Sequence, residues 1–162
     1  MVYCSNCHRT QHKEVFWLVG HGIYTANSHI FLKQYPSAMA KFTIYHNPRC
    51  SKSRQTLALL EAHAATAPDT EINIIEYLKT PPSSSDLQAL LTLLACAPRD
   101  LMRTKEAVYE ELELAQVNDA ELVAAMVEHP ILIERPIVRR DGQTGDDQAI
   151  IGRPPENVEQ LF

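Results

Sequence analysis

Residues 42–54, FTIYHNPRCSKSR, join two kinds of backbone through one proline-marked break. Phe42, Ile44 and Tyr45 read as a short half-buried strand over 41–46, and Pro48, which has no N–H for a ladder, ends it at Asn47. After Ser51 the apolar residues Leu57, Leu59, Leu60 and Ala64 fall at helical spacing, so a helix over 51–64 starts directly after Cys50. Residues 71–76, EINIIE, read as a second strand. Strand, helix and strand in so short a span imply parallel pairing with a right-handed crossover. Every later element has to add to that unit.

The break also carries the chemistry. A cysteine at a helix N-terminus faces unpaired N–H groups and the positive end of the helix dipole, which favour the thiolate over the thiol. Arg49, Lys52 and Arg54 add positive charge around Cys50, and His46 stands four residues before it. A thiolate nucleophile beside a ready oxyanion site is the reading these residues support. The alternative is a small buried hydrophobe that happens to follow a turn, with His46 a strand-end histidine.

Downstream, Pro81-Pro82-Ser83 breaks the chain, and Ser83 to Ser85 can cap a helix through Ala95 whose Leu87, Leu90, Leu91 and Leu94 form one stripe. Pro98 opens a short helix carrying Leu101, Met102 and Arg103, and a further helix over 119–128 turns Leu122, Val123, Met126 and Val127 inward. A strand over 137–139, a turn at Asp141-Gly142 and a returning strand over 149–151 make a hairpin, and a terminal helix runs to Leu161 with proline in its first turn. The order β-α-β, several helices, β-β-α is that of a thioredoxin-like mixed sheet with a helical insertion between its halves.

Composition narrows the function classes. With 45% hydrophobic and 22% charged residues in 162, the chain suits one globular domain and is neither fibrous nor wholly disordered. A net charge of -5 argues against nucleic acid as a partner, and no apolar run is long enough to span a membrane. Four cysteines are too few and too uneven for a secreted disulfide framework, so a soluble, cytoplasmic monomer is expected.

Residues 1–38 are a different kind of sequence. They carry Arg9, Lys13 and Lys33 against Glu14, so the charge divides into +2 there and -7 over 39–162. They show no sustained period, and Met39 lies two residues before the first strand. The domain is therefore read as 39–162, with 1–38 a non-conforming tail, disordered or reached by a mis-assigned start. Cys4-Ser5-Asn6-Cys7-His8 has the spacing of a c-type haem attachment site, and His12 would be a fourth metal ligand. Nothing around it provides a wrapping fold or a finger-like spacer, so no metal is expected.

From Lys41 to Phe162 the chain resembles the arsenate reductase family of glutaredoxin-like fold, in its glutathione- and glutaredoxin-linked branch. The resemblance rests on TIYHNPRCSKSR (43–54), LMRTKEAVYEEL (101–112), HPILIERPIV (129–138) and IGRPPE (151–156). It implies that Cys50 is the nucleophile with His46 and Ser53 as catalytic residues beside it, that Arg103, Arg135 and Arg153 hold the arsenate oxyanion, and that Asn47 is structural near the site. It also implies a cis Pro136 beside Cys50. The chemistry of the residues agrees, because guanidinium forks grip tetrahedral oxyanions through paired charge-assisted hydrogen bonds. Arg135 and Arg153 each precede proline, which holds their backbones extended.

The implied reaction needs outside reductant. Ser53 stands where a C-x-x-C oxidoreductase has its second cysteine, and Cys96 reads as packing on an apolar helix. Glutathione as co-substrate and glutaredoxin as partner are thus expected, with no bound cofactor. Two alternatives share the fold. A glutathione-linked thiol oxidoreductase without arsenate activity would need Cys50 but not all three arginines. An RNA-polymerase-binding redox regulator would need the C-x-x-C pair that Ser53 interrupts. Lys52 departs from the small residues that follow the nucleophile in dedicated arsenate enzymes.

Overall fold

The computed structural model describes residues 40–142 and 145–162. The tail with its Cys4, Cys7, His8 and His12 pattern lies outside the described residues, and so does the 38/39 boundary drawn from the sequence. Four strands form one mixed sheet in the order β2-β1-β3-β4. β1 (Ala40–His46) pairs in parallel with β2 (Thr70–Glu76), and α1 (Ser51–Thr66) makes the crossover between them. β3 (Ile137–Asp141) runs antiparallel to β1 on its other side, and β4 (Gln148–Ile151) closes the hairpin. The thioredoxin-like order expected from the sequence is the order observed.

β1 is not the half-buried strand its alternation suggests. Residues 42–46 are all buried, because β1 is central and both sheet faces are covered. Phe42 and Ile44 pack with Leu60, Val138, Val158 and Leu161 on one face. Tyr45 points into the larger cluster on the other, with Leu87, Leu90, Leu122, Met126 and Ile137. The period of two divides one strand between two cores.

The helical insertion supplies the second core. α2 (Ser84–Leu94) starts at a capping box between Ser83 and Asp86, and α4 (Asp119–Glu128) at one between Asn118 and Glu121. Between them lies the short α3 (Ala107–Glu111), which the apolar spacing does not reveal because none of its residues is buried. Arg99 ties this region together: its guanidinium donates to the Tyr109 hydroxyl at 2.6 Å and to the carbonyls of Leu114 and Val117 at 2.9 and 3.1 Å.

Two expected helices differ in kind. The segment opened by Pro98 is a 3₁₀ turn ending at Leu101, so Met102 and Arg103 are not helical. Met102 instead forms an isolated antiparallel bridge with Ile133, flanked by hydrogen bonds from Arg103 N–H to Leu132 O and from Glu134 N–H to Leu101 O, both 2.8 Å. That pairing takes the backbone groups a longer helix would have used. The terminal helix (Pro155–Leu161) is also 3₁₀, and it buries Val158 and Leu161 against β1 and α1.

The loop after β4 passes close to α1. A Cβ at Gly152 would lie 2.6 Å from Thr56 Oγ1 and 2.9 Å from Pro136 Cγ, while the Gly152 N–H donates to Pro136 O at 2.9 Å. Gly152→Ala is therefore expected to cost about 1–3 kcal/mol by overpacking, read as a lower midpoint in chemical denaturation; an unchanged midpoint would show that α1 yields freely here.

Candidate active site

Cys50 is the N-cap of α1, with extended backbone angles. The turn that delivers it is built by Asn47: its carbonyl accepts the Cys50 N–H at 3.0 Å, and its side-chain oxygen accepts the Arg49 N–H at 2.9 Å. The first helical hydrogen bond then runs from Arg54 N–H to Cys50 O. This geometry leaves the amides of Lys52 and Ser53 directed at the sulfur.

Ser53 is fully buried and serves the loop as well as the thiol. Its hydroxyl accepts the Asn47 N–H at 3.0 Å and lies 3.0 Å from His46 Nδ1, so one oxygen joins the end of β1, the turn and α1. Burial lowers the His46 pKa, with Arg54 acting the same way and the Glu76 carboxylate opposing them. A neutral imidazole protonated at Nε2 can accept a hydrogen bond from the Ser53 hydroxyl at Nδ1.

Burial alone would push the Cys50 thiol up. The amides of Ser53 and Lys52 and the guanidiniums of Arg135 and Arg153 outweigh it, and the pKa falls below that of an ordinary thiol. For Lys52 the effective group is thus its backbone N–H, and Arg54 spends its side chain on Pro48 O at 2.8 Å rather than on the sulfur. The cationic neighbours that matter most come from far along the chain.

The structure brings the three predicted arginines to one edge of the sheet. Arg153 Nη2 lies 3.9 Å from Cys50 Sγ, while its Nε donates to Arg135 O at 2.8 Å and forms an ion pair with the Glu134 carboxylate, also at 2.8 Å. Arg135 precedes a cis peptide bond to Pro136, and Arg153 likewise precedes a cis bond to Pro154, which sequence reasoning did not foresee. Arg103 forms an ion pair with Glu106, whose carboxylate also lies 3.9 Å from Arg135 Nη1. Arg135 Nε and Nη1 are buried without a hydrogen-bond partner among the described residues. Burial, then the like charge of Arg135, lowers the Arg103 pKa, and Arg153 adds to the effect. Glu106 and Glu134 have no role in the sequence reading; the i,i+3 spacing of Arg103 and Glu106 is a signal that could have found the first, whereas Glu134 pairs with Arg153 far along the chain and leaves none.

Such a cluster can bind a multiply charged oxyanion beside a thiolate. Charge-assisted donors on separate elements converge where an anion would be attacked, and the carboxylates of Glu106 and Glu134 offset part of their mutual repulsion. Cys96 is a different thiol: burial raises its pKa, and Asp100 raises it further. Among the described residues no group of His, Cys, Asp or Glu is arranged to hold a metal, and no helix is long and apolar enough to cross a membrane.

Comparison with known proteins agrees in extent with this architecture. The model of the ArsC family matches residues 45–161. The chain is 46% identical over 121 residues to the uncharacterised protein YfgD of Escherichia coli (strain K12), covering 73% of this chain and 93% of that protein. It is 42% identical over 128 residues to an arsenate reductase of Neisseria meningitidis, covering 76% of this chain and all 100% of the relative. Among solved structures, an arsenate reductase from Vibrio cholerae superposes with a TM-score of 0.67 at 48% identity, over 77% of this chain and 99% of the other.

Two outcomes follow from the geometry. Ser53→Ala leaves the buried Asn47 N–H unpaired and is expected to lower stability by about 1–3 kcal/mol, measured by urea unfolding. Arg135→Ala removes a cation that favours the thiolate, so the Cys50 pKa should rise and iodoacetamide should alkylate Cys50 more slowly at pH 7; an unshifted rate profile would mean that the helix amides and Arg153 hold the thiolate without Arg135.

Proposed function

The chain belongs to the ArsC family, and from that premise we propose that it reduces arsenate to arsenite at Cys50, drawing electrons from glutathione and glutaredoxin. The observation that carries this reading is the 3.9 Å approach of Arg153 Nη2 to Cys50 Sγ, beside a buried Arg135 with unused donors. A thiol oxidoreductase that exchanges mixed disulfides has no need of such donors, whereas a tetrahedral oxyanion uses all of them.

In the proposed reaction the Cys50 thiolate attacks arsenic(V), a Cys50–S–As bond forms, and one oxygen leaves as water. Arg103, Arg135 and Arg153 balance the charge on the remaining oxygens. Two outside thiols, one from glutathione and one from glutaredoxin, supply the two electrons that convert As(V) to As(III) and depart as a mixed disulfide. Hydrolysis of the S–As bond frees arsenite and restores the thiol. His46, Asn47 and Ser53 hold the turn that aims the sulfur. Support for external reductants comes from the residues around the thiol: Ser53 is buried where a partner cysteine would stand, and Cys96 is poorly ionised. The chemistry calls for a reducing compartment, the cytoplasm.

The test is arsenate-dependent NADPH oxidation coupled through glutathione reductase, glutathione and glutaredoxin. Wild type should turn over, Cys50→Ser should not, and Ala at Arg103, Arg135 or Arg153 should lower kcat/KM by roughly ten- to a hundredfold, the worth of one hydrogen bond to a charged group. No arsenate turnover from a folded wild type whose Cys50 still alkylates rapidly would sink the reading and favour the thiol oxidoreductase.

A further inference from the structure

Tyr77 emerges from β2 at the same sheet edge as the nucleophile. β2 ends at Glu76, whose register partner is His46, so the next residue comes out beside Asn47 and the Cys50 turn. Its ring is fully buried in the larger core, and its hydroxyl is buried with no hydrogen-bond partner among the described residues. The Asn47 side chain is within reach, but no contact of hydrogen-bond geometry satisfies the hydroxyl. A phenylalanine would fill the same volume without stranding a polar atom, so packing does not account for the oxygen.

The surroundings indicate what the hydroxyl serves. Arg135, Arg103 and the Cys50 thiol all lie close enough to act on its ionisation. Guanidiniums donate and cannot accept, and Arg135 Nε and Nη1 are themselves without acceptors. A group that takes hydrogen bonds from the phenol and from Arg135 together must be an acceptor open to several donors at once, as a tetrahedral oxyanion is.

We propose that the Tyr77 hydroxyl is a fourth donor of the anion site, giving a hydrogen bond to one oxygen of the tetrahedral oxyanion that Arg135 holds against Cys50. The inference deepens the arsenate reading and rests on it only for the identity of the anion. Burial pushes the phenol's pKa up, against the pull of Arg135, Asn47 and Arg103, so Tyr77 keeps its proton at neutral pH and can only donate to an anion. A neutral donor also adds a directed contact without adding a fourth positive charge to a cluster whose cations already repel.

The experiment compares wild type with Tyr77→Phe in the full chain. Alkylation of Cys50 by iodoacetamide is followed by peptide mass spectrometry against rising arsenate, without reductant. Arsenate should protect the wild-type thiol, and the variant should need about tenfold more or beyond, as expected for losing one hydrogen bond to a charged acceptor. In anion-free buffer the variant should unfold at the same or a higher denaturant concentration, because it loses only an unpaired hydroxyl. Equal protection of both proteins overturns the proposal, as does a wild type that arsenate does not protect. A lower unfolding midpoint would assign the hydroxyl to the fold. A higher Cys50 pKa in the anion-free variant would assign it to the thiolate instead. If the tenfold difference holds while arsenate-dependent turnover is absent, anion recognition by Tyr77 stands and the reduction chemistry falls.

Discussion

Like charges held close together need a counter-charge, and the edge of this sheet gathers three guanidiniums, two of which act on the Cys50 sulfur. Arg153 approaches Cys50 Sγ to 3.9 Å, Arg135 is buried beside it, and the Arg103 pKa is pulled down by burial and by both of the others. Repulsion of this kind falls slowly with distance in a poorly solvated site. It is offset by Glu106, shared between Arg103 and Arg135, and by Glu134 on Arg153. A thiolate at Cys50 adds one more negative charge, so its depressed pKa and the arginine cluster are two views of one balance.

The backbone exists in large part to hold that balance. Met102 and Ile133 bridge the loop of Arg103 to that of Arg135, and the Arg153 guanidinium donates to the Arg135 carbonyl, so the three arginines are linked through main-chain atoms as well as charge. Cys50 is held from the opposite side by the Asn47 turn and by a Ser53 hydroxyl that is fully buried. The aromatic cluster of Phe42, His63 and Phe162, with His63 stacked on Phe162 at 4.0 Å, ties α1 to the chain end. Two cores on two faces of β1 keep these pieces rigid.

Local sequence was informative where one short stretch decides the outcome. The strand over 41–46, the helix after Cys50, the strand over 71–76 and the capping of α2 all follow from period and punctuation, and all occur within a few residues of the expected bounds. The same reasoning failed at Met102 and Arg103, because a bridge to Ile133, about thirty residues away, competes with helix continuation. α3 escaped notice because it is one short turn with only Val108 and Tyr109 partly buried against the core, too few to make an apolar period. β1 looked half-buried because alternation cannot report a second core built by a distant insertion.

For the site, the residues themselves named the nucleophile and its helix cap, since the amides that favour the thiolate belong to the turn that carries it. Resemblance added the arginines by motif. What tertiary structure alone decided is the company they keep: the amide of Lys52 rather than its ammonium at the sulfur, Glu106 between two guanidiniums, and the Tyr77 hydroxyl unpaired beside Asn47. The division has a physical cause. Helix caps, turns and periods depend on neighbours a few residues apart and are written in order along the chain. Charge balance and the satisfaction of buried donors depend on distance through space, which only the folded chain sets.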